Sequence, residues 1–418
     1  MSVSHAGPLR HGLTRMRGRD PSESHRAATP LELLFDLTFV IAFGTAADEL
    51  AHFLAEDHVR EGLIGFAFSV FAISWAWINF SWFASAYDTD DWVYRLTTMV
   101  QMIGVLVLAL GIPATYESLL HGDHLDNKVV VAGYVIMRIA MVAQWLRAAR
   151  QDPDHRRVAN TYVLTIVLAQ VLWVGLVLLD LPVGPFFLIA IVPYAVEVAG
   201  PMIAELRLGG SPWHPHHIAE RYSLIVIIAL GEGLIGTTAS LNVLVGPEGP
   251  GWSVDVGLLA FAGVALTFGI WWTYFVLPHG ALLAARREER AFGWGYGHIV
   301  LFGSIVAVGA GLHVAAYLLG DDTALGRTAT VLTVAVPVAV YVAMLYVMYA
   351  LLTRTFDPFH VPLVAASAVC VAAAVLLADT SMTWALVVLA ATPWVTVVGY
   401  ELIGHRHNAD VLDHLERR

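Results

Sequence analysis

The sequence has little cysteine and little charge. Its one cysteine, Cys370, excludes an intrachain disulfide and a zinc site built from cysteines. Charged residues make up 14% of the 418 residues, against about a quarter in an average soluble protein. The sequence also lacks a glycine-rich phosphate-binding loop and any local Ser-His-Asp or Cys-His signature. These absences exclude the common soluble enzyme classes.

Apolar residues dominate the composition of the sequence. They make up 58% of the chain, and the mean hydropathy is +0.68. The net charge of −11, with no basic patch outside short loops, argues against nucleic-acid binding. We therefore predict an all-α, polytopic transmembrane helical bundle. The runs long enough to span a bilayer number twelve and lie near 31–53, 62–83, 93–116, 129–147, 158–179, 185–205, 218–241, 256–277, 296–318, 328–352, 360–378 and 383–403.

The distribution of Lys and Arg supports twelve spans. With twelve spans, alternate loops fall on opposite sides of the membrane, and the loops on one side hold only Arg60, Lys128 and Arg327. Two further basic residues, Arg138 and Arg221, lie in or at the edge of spans. The other eighteen of the 23 basic residues fall in the tails and the alternate loops. Because basic loops stay cytoplasmic, we predict a cytoplasmic (inner) membrane protein with both termini in the cytoplasm.

The chain divides into four predicted parts. Residues 1–30 are rich in Arg, Ser, Gly and Pro and are predicted to be a disordered basic tail, with no removable signal peptide. Two six-helix membrane halves follow, at 31–206 and 207–404. Residues 405–418 form a second cytoplasmic tail.

The two halves resemble each other. Glu32 precedes Gly44 by twelve residues, and Glu220 precedes Gly231 by eleven, at equivalent places in the first spans of the two halves. Aromatic and proline positions in later spans repeat in the same order. We therefore predict two six-helix pseudo-repeats with a substrate path between them.

Ionisable residues inside apolar spans are the main candidate site. Each costs about 2.5–3.5 kcal/mol to insert, so it must face protein, water or a ligand. Glu32 and Asp36 are four residues apart in the first span, and Glu32 also fits a helix-capping box with Thr29. In the seventh span Arg221 and Glu232 share a helix face, roughly 16 Å apart. These charges, listed with two others, are predicted to bind substrate or ion: Glu32, Asp36, Arg138, Glu220, Arg221 and Glu232.

Structural ion pairs are the alternative for these charges. Asp36 has Arg221, Arg138 and Arg95 as candidate partners. Arg138, which shares a helix face with Tyr134, would pair with Asp36, Glu197 or Glu232 or bind an anionic substrate.

An acidic loop follows the second span. Asp88, Asp90, Asp91 and Arg95 are predicted to form a vestibule, with a divalent-ion site or a set of helix caps as alternatives. The tryptophans of the span before it are typical of an interfacial belt. An aromatic wall for an organic or cationic substrate is the other interpretation.

Three histidines lie near or within spans, and an unperturbed imidazole titrates near neutral pH. His217, His298 and His313 are candidates for a proton relay, although buried histidines are often only structural. His217 and Glu220 lie three residues apart, but no further ligand at fixed spacing completes a zinc site. We therefore predict no metal and no cofactor.

Three motifs resemble those of the bacterial low temperature requirement protein A (LtrA) family. They are Thr29 to Val40 (TPLELLFDLTFV), Tyr87 to Asp91 with Arg95, and His217 to Tyr222 followed by Ala229 to Glu232 (HIAERY and ALGE). Gly233 stands where a small hydroxyl residue is common in that family. The resemblance implies a polytopic inner-membrane protein, and the family name refers to a growth phenotype rather than an activity.

The prediction for function is a secondary transporter of a small solute coupled to protons or cations. Its partners would be membrane lipids and a small-molecule or ion substrate. One alternative is a membrane-embedded enzyme acting on a lipid or isoprenoid, which would need Asp88, Asp90, Asp91, His217 and Glu220 to converge. The other is a non-transporting structural or stress-related protein whose buried charges only hold helices together. The sequence leaves the substrate and the oligomeric state open.

Overall fold

A computed structural model describes residues 12–21, 23, 26–121, 124–247, 249, 251–285, 287–354 and 356–404, with only the backbone described at 287–290. The predicted tail at 405–418 and the first eleven residues of the predicted tail at 1–30 lie outside the described residues.

Helices make up the fold, and no strand occurs in the part of the chain that the structure describes. The helices are α1 (Pro30–Ala55), α2 (Val59–Tyr87), α3 (Trp92–His121), α4 (Lys128–Gln151), α5 (Arg156–Leu179), α6 (Val183–Arg207), α7 (Pro215–Val245), α8 (Val254–Phe275), α9 (His279–Ala285), α10 (Arg287–Leu319), α11 (Arg327–Thr353), α12 (His360–Leu377) and α13 (Met382–Gly399), with a π-helical turn at Tyr400–Gly404. Twelve of these are long and apolar enough to cross a membrane, which confirms the predicted all-α bundle of twelve spans.

One helix was absent from the sequence prediction. The short helix α9 lies in the loop between the eighth and ninth spans, and α10 begins at Arg287 rather than near 296. Helix α10 therefore begins roughly two and a half turns before the predicted apolar run, whereas the ninth candidate span begins at Ala291.

The centre of the bundle is formed by α1, α2, α7 and α10. The most apolar windows of α2 and of the span in α10 are 72% and 78% buried, against 17% for α12. Helix α10 packs against α1, α2, α7 and α11, and α7 also packs against α1 and α8. Contacts between the first and second halves therefore run through these four helices.

The start of α1 is fixed by local chemistry. The Thr29 hydroxyl accepts a hydrogen bond from the Glu32 backbone N–H at 3.2 Å, and the Glu32 carboxylate accepts one from the Thr29 N–H at 2.8 Å. Pro30 occupies the first turn. This confirms the predicted capping box, which places Glu32 at the end of the helix and Asp36 one turn further in.

The bundle has two faces, which are defined by the ends of α1 and α7. The terminal face is the end where α1 begins at Pro30 and α7 begins at Pro215. The opposite face is the end where α1 ends at Ala55 and α7 ends at Val245.

The described residues between 12 and 29, called the N-terminal strap, cross the terminal face. The backbone N–H groups of Met16 and Gly18 donate to the side chains of Gln151 and Asp152 at 2.7 and 3.0 Å. The Arg26 guanidinium donates to the carbonyls of Ala84 and Ser85 near the end of α2. The Ser85 carbonyl lies in the last turn, where a helix end leaves carbonyls free, and the Ala84 carbonyl also accepts from the Asp88 N–H.

The predicted repeat stays a prediction. Neighbouring helices pair in both halves, as α3 with α4 and α10 with α11, and as α5 with α6 and α12 with α13. The last spans differ, because α13 also packs against α8, whereas the main contacts of α6 are with α5.

Candidate functional site

A cluster of four ionisable side chains joins α1 to α7 near the terminal face. Arg221 binds Asp36 through its Nη2 and, at 3.1 Å, its Nε, and its Nη1 lies 2.9 Å from Glu32. His217 Nε2 lies 3.3 Å from the Glu32 carboxylate. Each of the four is at most 1% exposed. We call these residues, Glu32, Asp36, His217 and Arg221, the inter-half cluster.

Helix geometry explains why these residues meet. Glu32 and Asp36 lie one turn apart on α1, and His217 and Arg221 lie one turn apart on α7, so each helix presents two groups on one face. Of the three candidate partners predicted for Asp36, the structure selects Arg221.

Aromatic side chains complete the surroundings of the inter-half cluster. Trp77 Nε1 donates to Asp36 Oδ1 at 2.7 Å, and the Arg221 guanidinium carbon lies 5.9 and 5.8 Å from the ring centres of Trp77 and Phe80. The ring of Trp77 also packs against Tyr222. Asp36 therefore accepts bonds from Arg221 and from an indole, as a buried carboxylate requires.

The predicted belt of tryptophans is wrong for the second span. Trp75, Trp77 and Trp82 are between 0 and 7% exposed and lie inside the bundle. Trp75 Nε1 donates to Glu197 at 2.6 Å, and Trp82 Nε1 donates to the Tyr222 hydroxyl at 3.2 Å. Their polar atoms serve protein partners rather than the membrane surface.

The formal charges of the inter-half cluster do not cancel. Glu32 and Asp36 carry two negative charges when ionised, whereas Arg221 carries the one positive charge that does not depend on pH. Arg26 and Asp88 lie at its rim, within electrostatic range of Glu32, and offset each other. The buried group therefore reaches neutrality only with one further proton, on His217 or on a carboxyl.

Glu220 lies at the edge of this arrangement. Its carboxylate accepts a hydrogen bond from the backbone N–H of Ala28 at 3.3 Å, which ties the N-terminal strap to α7. Glu220 therefore lies beside the inter-half cluster, but its carboxylate bonds the N-terminal strap rather than a member of the cluster.

Arg138 belongs to a separate pair within the first half. Its Nη2 lies 3.4 Å from Glu197 and bonds the Tyr134 hydroxyl. Glu197 also accepts from Trp75 and, at 3.3 Å, from Gln170. Of the carboxylates proposed for Arg138, the structure selects Glu197, so Arg138 and Arg221 serve two different sites.

Glu232 lies in a third place, at the junction of α1, α7 and α10. It is 2% exposed, and no hydrogen bond or ion pair of its side chain is found among the described residues. A Cβ at Gly44 of α1 would lie 3.3 Å from Glu232 Oε1, and a Cβ at Gly309 of α10 would lie 2.6 Å from Glu232 Cβ. The two glycines let α1 approach the Glu232 carboxylate and α10 approach the Glu232 backbone closely.

The space beside the next residue, Gly233, is occupied by a threonine of α8. A Cβ at Gly233 would lie 2.6 Å from Thr267 Oγ1. The Thr267 hydroxyl therefore occupies the space that a side chain at position 233 would need, and it donates to the Gly263 carbonyl at 3.0 Å.

The acidic loop forms helix caps and ion pairs. Asp91 accepts from the Tyr94 N–H at 3.0 Å, which caps α3, and it binds Arg147. Asp90 pairs with Arg95 at 2.8 Å on the surface. Of the three interpretations, the helix-cap set describes these contacts. The described residues contain no group of three or more His, Cys, Asp or Glu side chains that could hold a metal ion.

Two aspartates of this loop have shifted pKa values. Burial raises the pKa of Asp88 to about 6, and the nearby Glu32 carboxylate adds to the shift. Burial also disfavours the charged form of Asp91, but the bonds from Arg147 and from the Tyr94 and Thr14 N–H groups outweigh it, so the pKa of Asp91 is lowered.

The three histidines of the predicted relay are in different surroundings. His217 belongs to the inter-half cluster. His298 is fully buried, bonds the Tyr274 hydroxyl at 3.0 Å and contacts the ring of Tyr222. His313 lies 3.2 Å from Asp48 near the opposite face.

Two large cavities lie away from the inter-half cluster. An apolar groove of about 670 Å³ runs between α1 and α2 of the first half and α10 and α11 of the second. A cavity of about 660 Å³ opens beside the N-terminal strap, where Glu205, Ser211 and Trp213 line it.

Sequence reasoning missed Trp77, Arg26 and the Asp48–His313 pair. Trp77 offered a signal, because an indole one turn or more inside an apolar run needs an acceptor. The Asp48 side chain is 66% exposed. Nothing in the spacing of the sequence connects it to His313.

Comparison with known proteins gives two matches. The sequence model of a family described as bacterial low temperature requirement A protein (LtrA) matches residues 27–395. A protein of Rhizobium meliloti (strain 1021), named uncharacterized protein RA0937, is 25% identical over 323 residues, which cover 73% of this chain and 73% of that protein.

Proposed function

Because this chain belongs to the bacterial low temperature requirement A (LtrA) family and has twelve candidate membrane spans, we propose that it is a secondary transporter of a small solute, coupled to protons. The solute would pass between the two halves. The N-terminal strap and the inter-half cluster would keep the terminal face closed in the conformation described here.

The inter-half cluster is the observation that carries this proposal. A transporter that alternates between two open states needs contacts between its halves that hold one side closed and that an ion can switch. Arg221 of the second half binds Asp36 and Glu32 of the first half and touches both of its aromatic neighbours from α2. The contact therefore joins the halves by charge rather than by apolar packing alone.

The charge imbalance provides the switch. Protonation of Asp36 or Glu32 would weaken its attraction to Arg221, and loss of the proton would restore it. Because Arg221 stays charged in either case, a proton alone changes the strength of the contact between α1 and α7.

The proposal includes the side of the membrane. With twelve spans and most basic residues in one set of loops, the terminal face would be cytoplasmic in an inner membrane. The closed face in this conformation would then be the cytoplasmic one.

The proposal is tested in two steps with the Asp36→Asn variant. Cells that express wild-type protein or the variant are first compared for small solutes by mass spectrometry. A solute whose level differs is then loaded into proteoliposomes with an imposed pH gradient. We expect gradient-driven movement with wild-type protein and a loss of at least about tenfold with Asp36→Asn.

The matched control is Cys370→Ser, a change in a partly buried residue of α12 away from the inter-half cluster. It should transport like wild-type protein. Unchanged solute levels and unchanged flux with a well-expressed Asp36→Asn variant would contradict the proposal.

A structural role is the second candidate, because every member of the inter-half cluster is buried and paired with another member. The double exchange Asp36→Arg with Arg221→Asp separates the two. If the cluster only holds helices together, the exchange should restore the thermal stability that either single variant loses, and no solute should respond to any variant. The enzyme alternative has less support, because Asp90 and Asp91 pair with Arg95 and Arg147 rather than joining His217.

A further inference from the structure

Glu232 is chemically different from the other buried acids. Asp36 and Glu32 share Arg221, and Glu197 has Arg138 and two further donors. Glu232 is 2% exposed and has no such partner among the described residues. An ionised carboxylate in that position would be an uncompensated buried charge, which costs far more than a neutral carboxylic acid.

The surroundings of Glu232 connect it to the opposite face. Asp48 lies four residues after Gly44 on α1, and His313 lies four residues after Gly309 on α10. Gly44 of α1 faces the Glu232 carboxylate, and Gly309 of α10 faces the Cβ and backbone of Glu232. Asp48 and His313 therefore lie about one helical turn, or roughly 6 Å along the helix axis, beyond these two contact points toward the opposite face.

Solvent exposure decreases from Asp48 through His313 to Glu232. The side chain of Asp48 is 66% exposed, that of His313 is 14% exposed, and Glu232 as a residue is 2% exposed. Asp48 and His313 are 3.2 Å apart. They are also the ionisable groups that act electrostatically on Glu232, while α8 contributes only Thr267 beside the neighbouring Gly233.

We infer that Glu232 is a proton-binding site that is loaded from the opposite face through Asp48 and His313. A proton from bulk water is taken up by the Asp48 carboxylate or the His313 imidazole and passes to the Glu232 carboxylate, which becomes a neutral carboxylic acid. A proton suits the site better than a metal cation, because a metal cation needs several oxygen ligands and the described residues contain no group of three or more His, Cys, Asp or Glu side chains that could hold one.

This inference deepens the proposed function and rests on it only for the role of the proton in coupling. Arg221 and Glu232 lie on one face of α7, roughly 16 Å apart, with the fully buried Ile225 and Ala229 between them. The inter-half cluster and Glu232 would therefore be two proton sites separated by an apolar segment. A proton would cross between them only when the conformation changes.

The test measures proton occupancy and needs no substrate. A hydrophobic carbodiimide reacts with protonated carboxyl groups in apolar surroundings, and mass spectrometry of the peptide that contains Glu232 reports the product. We expect labelling of Glu232 that decreases as pH rises and is lost in Glu232→Gln. We also expect a protonated-carboxyl infrared band that Glu232→Gln removes.

Glu197→Gln is the matched control, because it removes a buried carboxylate that has an arginine partner. It should leave both the labelling of Glu232 and the infrared band unchanged. His313→Gln should keep the label but slow its response to a pH jump by about tenfold or more.

Two results would overturn the inference. One is a Glu232 that stays unlabelled at every pH while Glu232→Gln leaves the infrared band intact in a correctly folded protein. The other is a pH-jump response that His313→Gln and Asp48→Asn leave as fast as in wild-type protein. Either result leaves the transport assay with Asp36→Asn unaffected, so failure of the site and failure of the proposed function are distinguishable.

Discussion

At the scale of single residues, the buried acids of this protein differ in their partners. Asp36 bonds Arg221 and Trp77, Glu197 bonds Arg138, and Glu232 has neither kind of partner among the described residues. The same side-chain chemistry therefore yields fixed pairs in two places and a group suited to gain and lose a proton in the third.

The cost of burying charge made part of this predictable from the sequence. An aspartate and an arginine in separate apolar spans must find partners, and this reasoning gave Arg221 as a candidate for Asp36. It did not choose among the candidate partners, because the choice depends on which helices pack together. It also missed Trp77, since a tryptophan late in a span fits a membrane belt equally well.

Asp88 gives the first prediction, which concerns pH. Its pKa is about 6 because of burial and the nearby Glu32, against 3.8 in an unfolded chain. The folded protein therefore binds more protons between these values, and the free energy of unfolding should fall as pH rises through that window, by roughly 2 kcal/mol after allowance for partial exposure. Asn at this position keeps the acceptor for the Asp90 N–H and cannot ionise.

The measurement is the thermal unfolding midpoint in detergent between about pH 4.5 and pH 7.5. Asp88→Asn should be more stable than wild-type protein at the upper pH and should equal it at the lower. Asp90→Asn removes an exposed pair with Arg95 and serves as control. Parallel curves for Asp88→Asn and wild-type protein would contradict the assigned cause.

At the scale of helices, run length and composition predicted the spans well. Twelve apolar runs became twelve membrane-length helices because each backbone group must be satisfied inside a bilayer. Composition did not reveal the contacts of the N-terminal strap. Its backbone bonds to Gln151 and Asp152 link residues more than a hundred positions apart, and no local pattern encodes them.

Glycine determines how closely the central helices approach. Gly309 of α10 faces the backbone of Glu232, and Gly236 of α7 faces the Gly309 carbonyl, where a Cβ would lie 2.5 Å away. Small residues at such crossings allow close contact between membrane helices. The position of Glu232 between α1 and α10 depends on this contact.

Gly309→Ala is the second prediction. Its Cβ would lie 2.6 Å from Glu232 Cβ and from the backbone carbon of Glu232, so α10 must move away from α7. We expect a loss of about 1–3 kcal/mol, visible as a lower thermal unfolding midpoint in detergent. Gly231→Ala is the control, because a Cβ there meets nothing within 4 Å.

The control should be neutral or slightly stabilising, by about 0.5–1 kcal/mol, since alanine favours a helix more than glycine does. If Gly309→Ala proved as stable as Gly231→Ala, the close crossing of α7 and α10 would not be what positions Glu232.

At the scale of the whole molecule, the two faces of the bundle are built differently. At the terminal face the N-terminal strap and the inter-half cluster join the two halves through hydrogen bonds and ion pairs. At the opposite face Asp48 is exposed, and exposure decreases gradually toward Glu232. One face of the molecule therefore has ion pairs between the halves, and at the other face the side chains become less exposed from Asp48 through His313 to Glu232.

The last prediction assigns these faces to sides of the membrane. An even number of spans would place both chain ends on one side, and the excess of Lys and Arg in the tails and alternate loops predicts that this side is the cytoplasm. A fluorescent protein that matures only in the cytoplasm should fluoresce when fused after residue 418. Alkaline phosphatase, active only outside the cytoplasm, should be active when fused after Asp322, between α10 and α11.

Fusions after Glu56 and after Asp88 serve as matched controls, because they follow the first and second spans and should report opposite sides. Phosphatase activity at residue 418 together with fluorescence at Asp322 would invert the orientation. The graded series of Asp48, His313 and Glu232 would then open to the cytoplasm, and the inter-half cluster would close the outer side. The direction in which a proton gradient loads Glu232 therefore depends on the orientation that these fusions report.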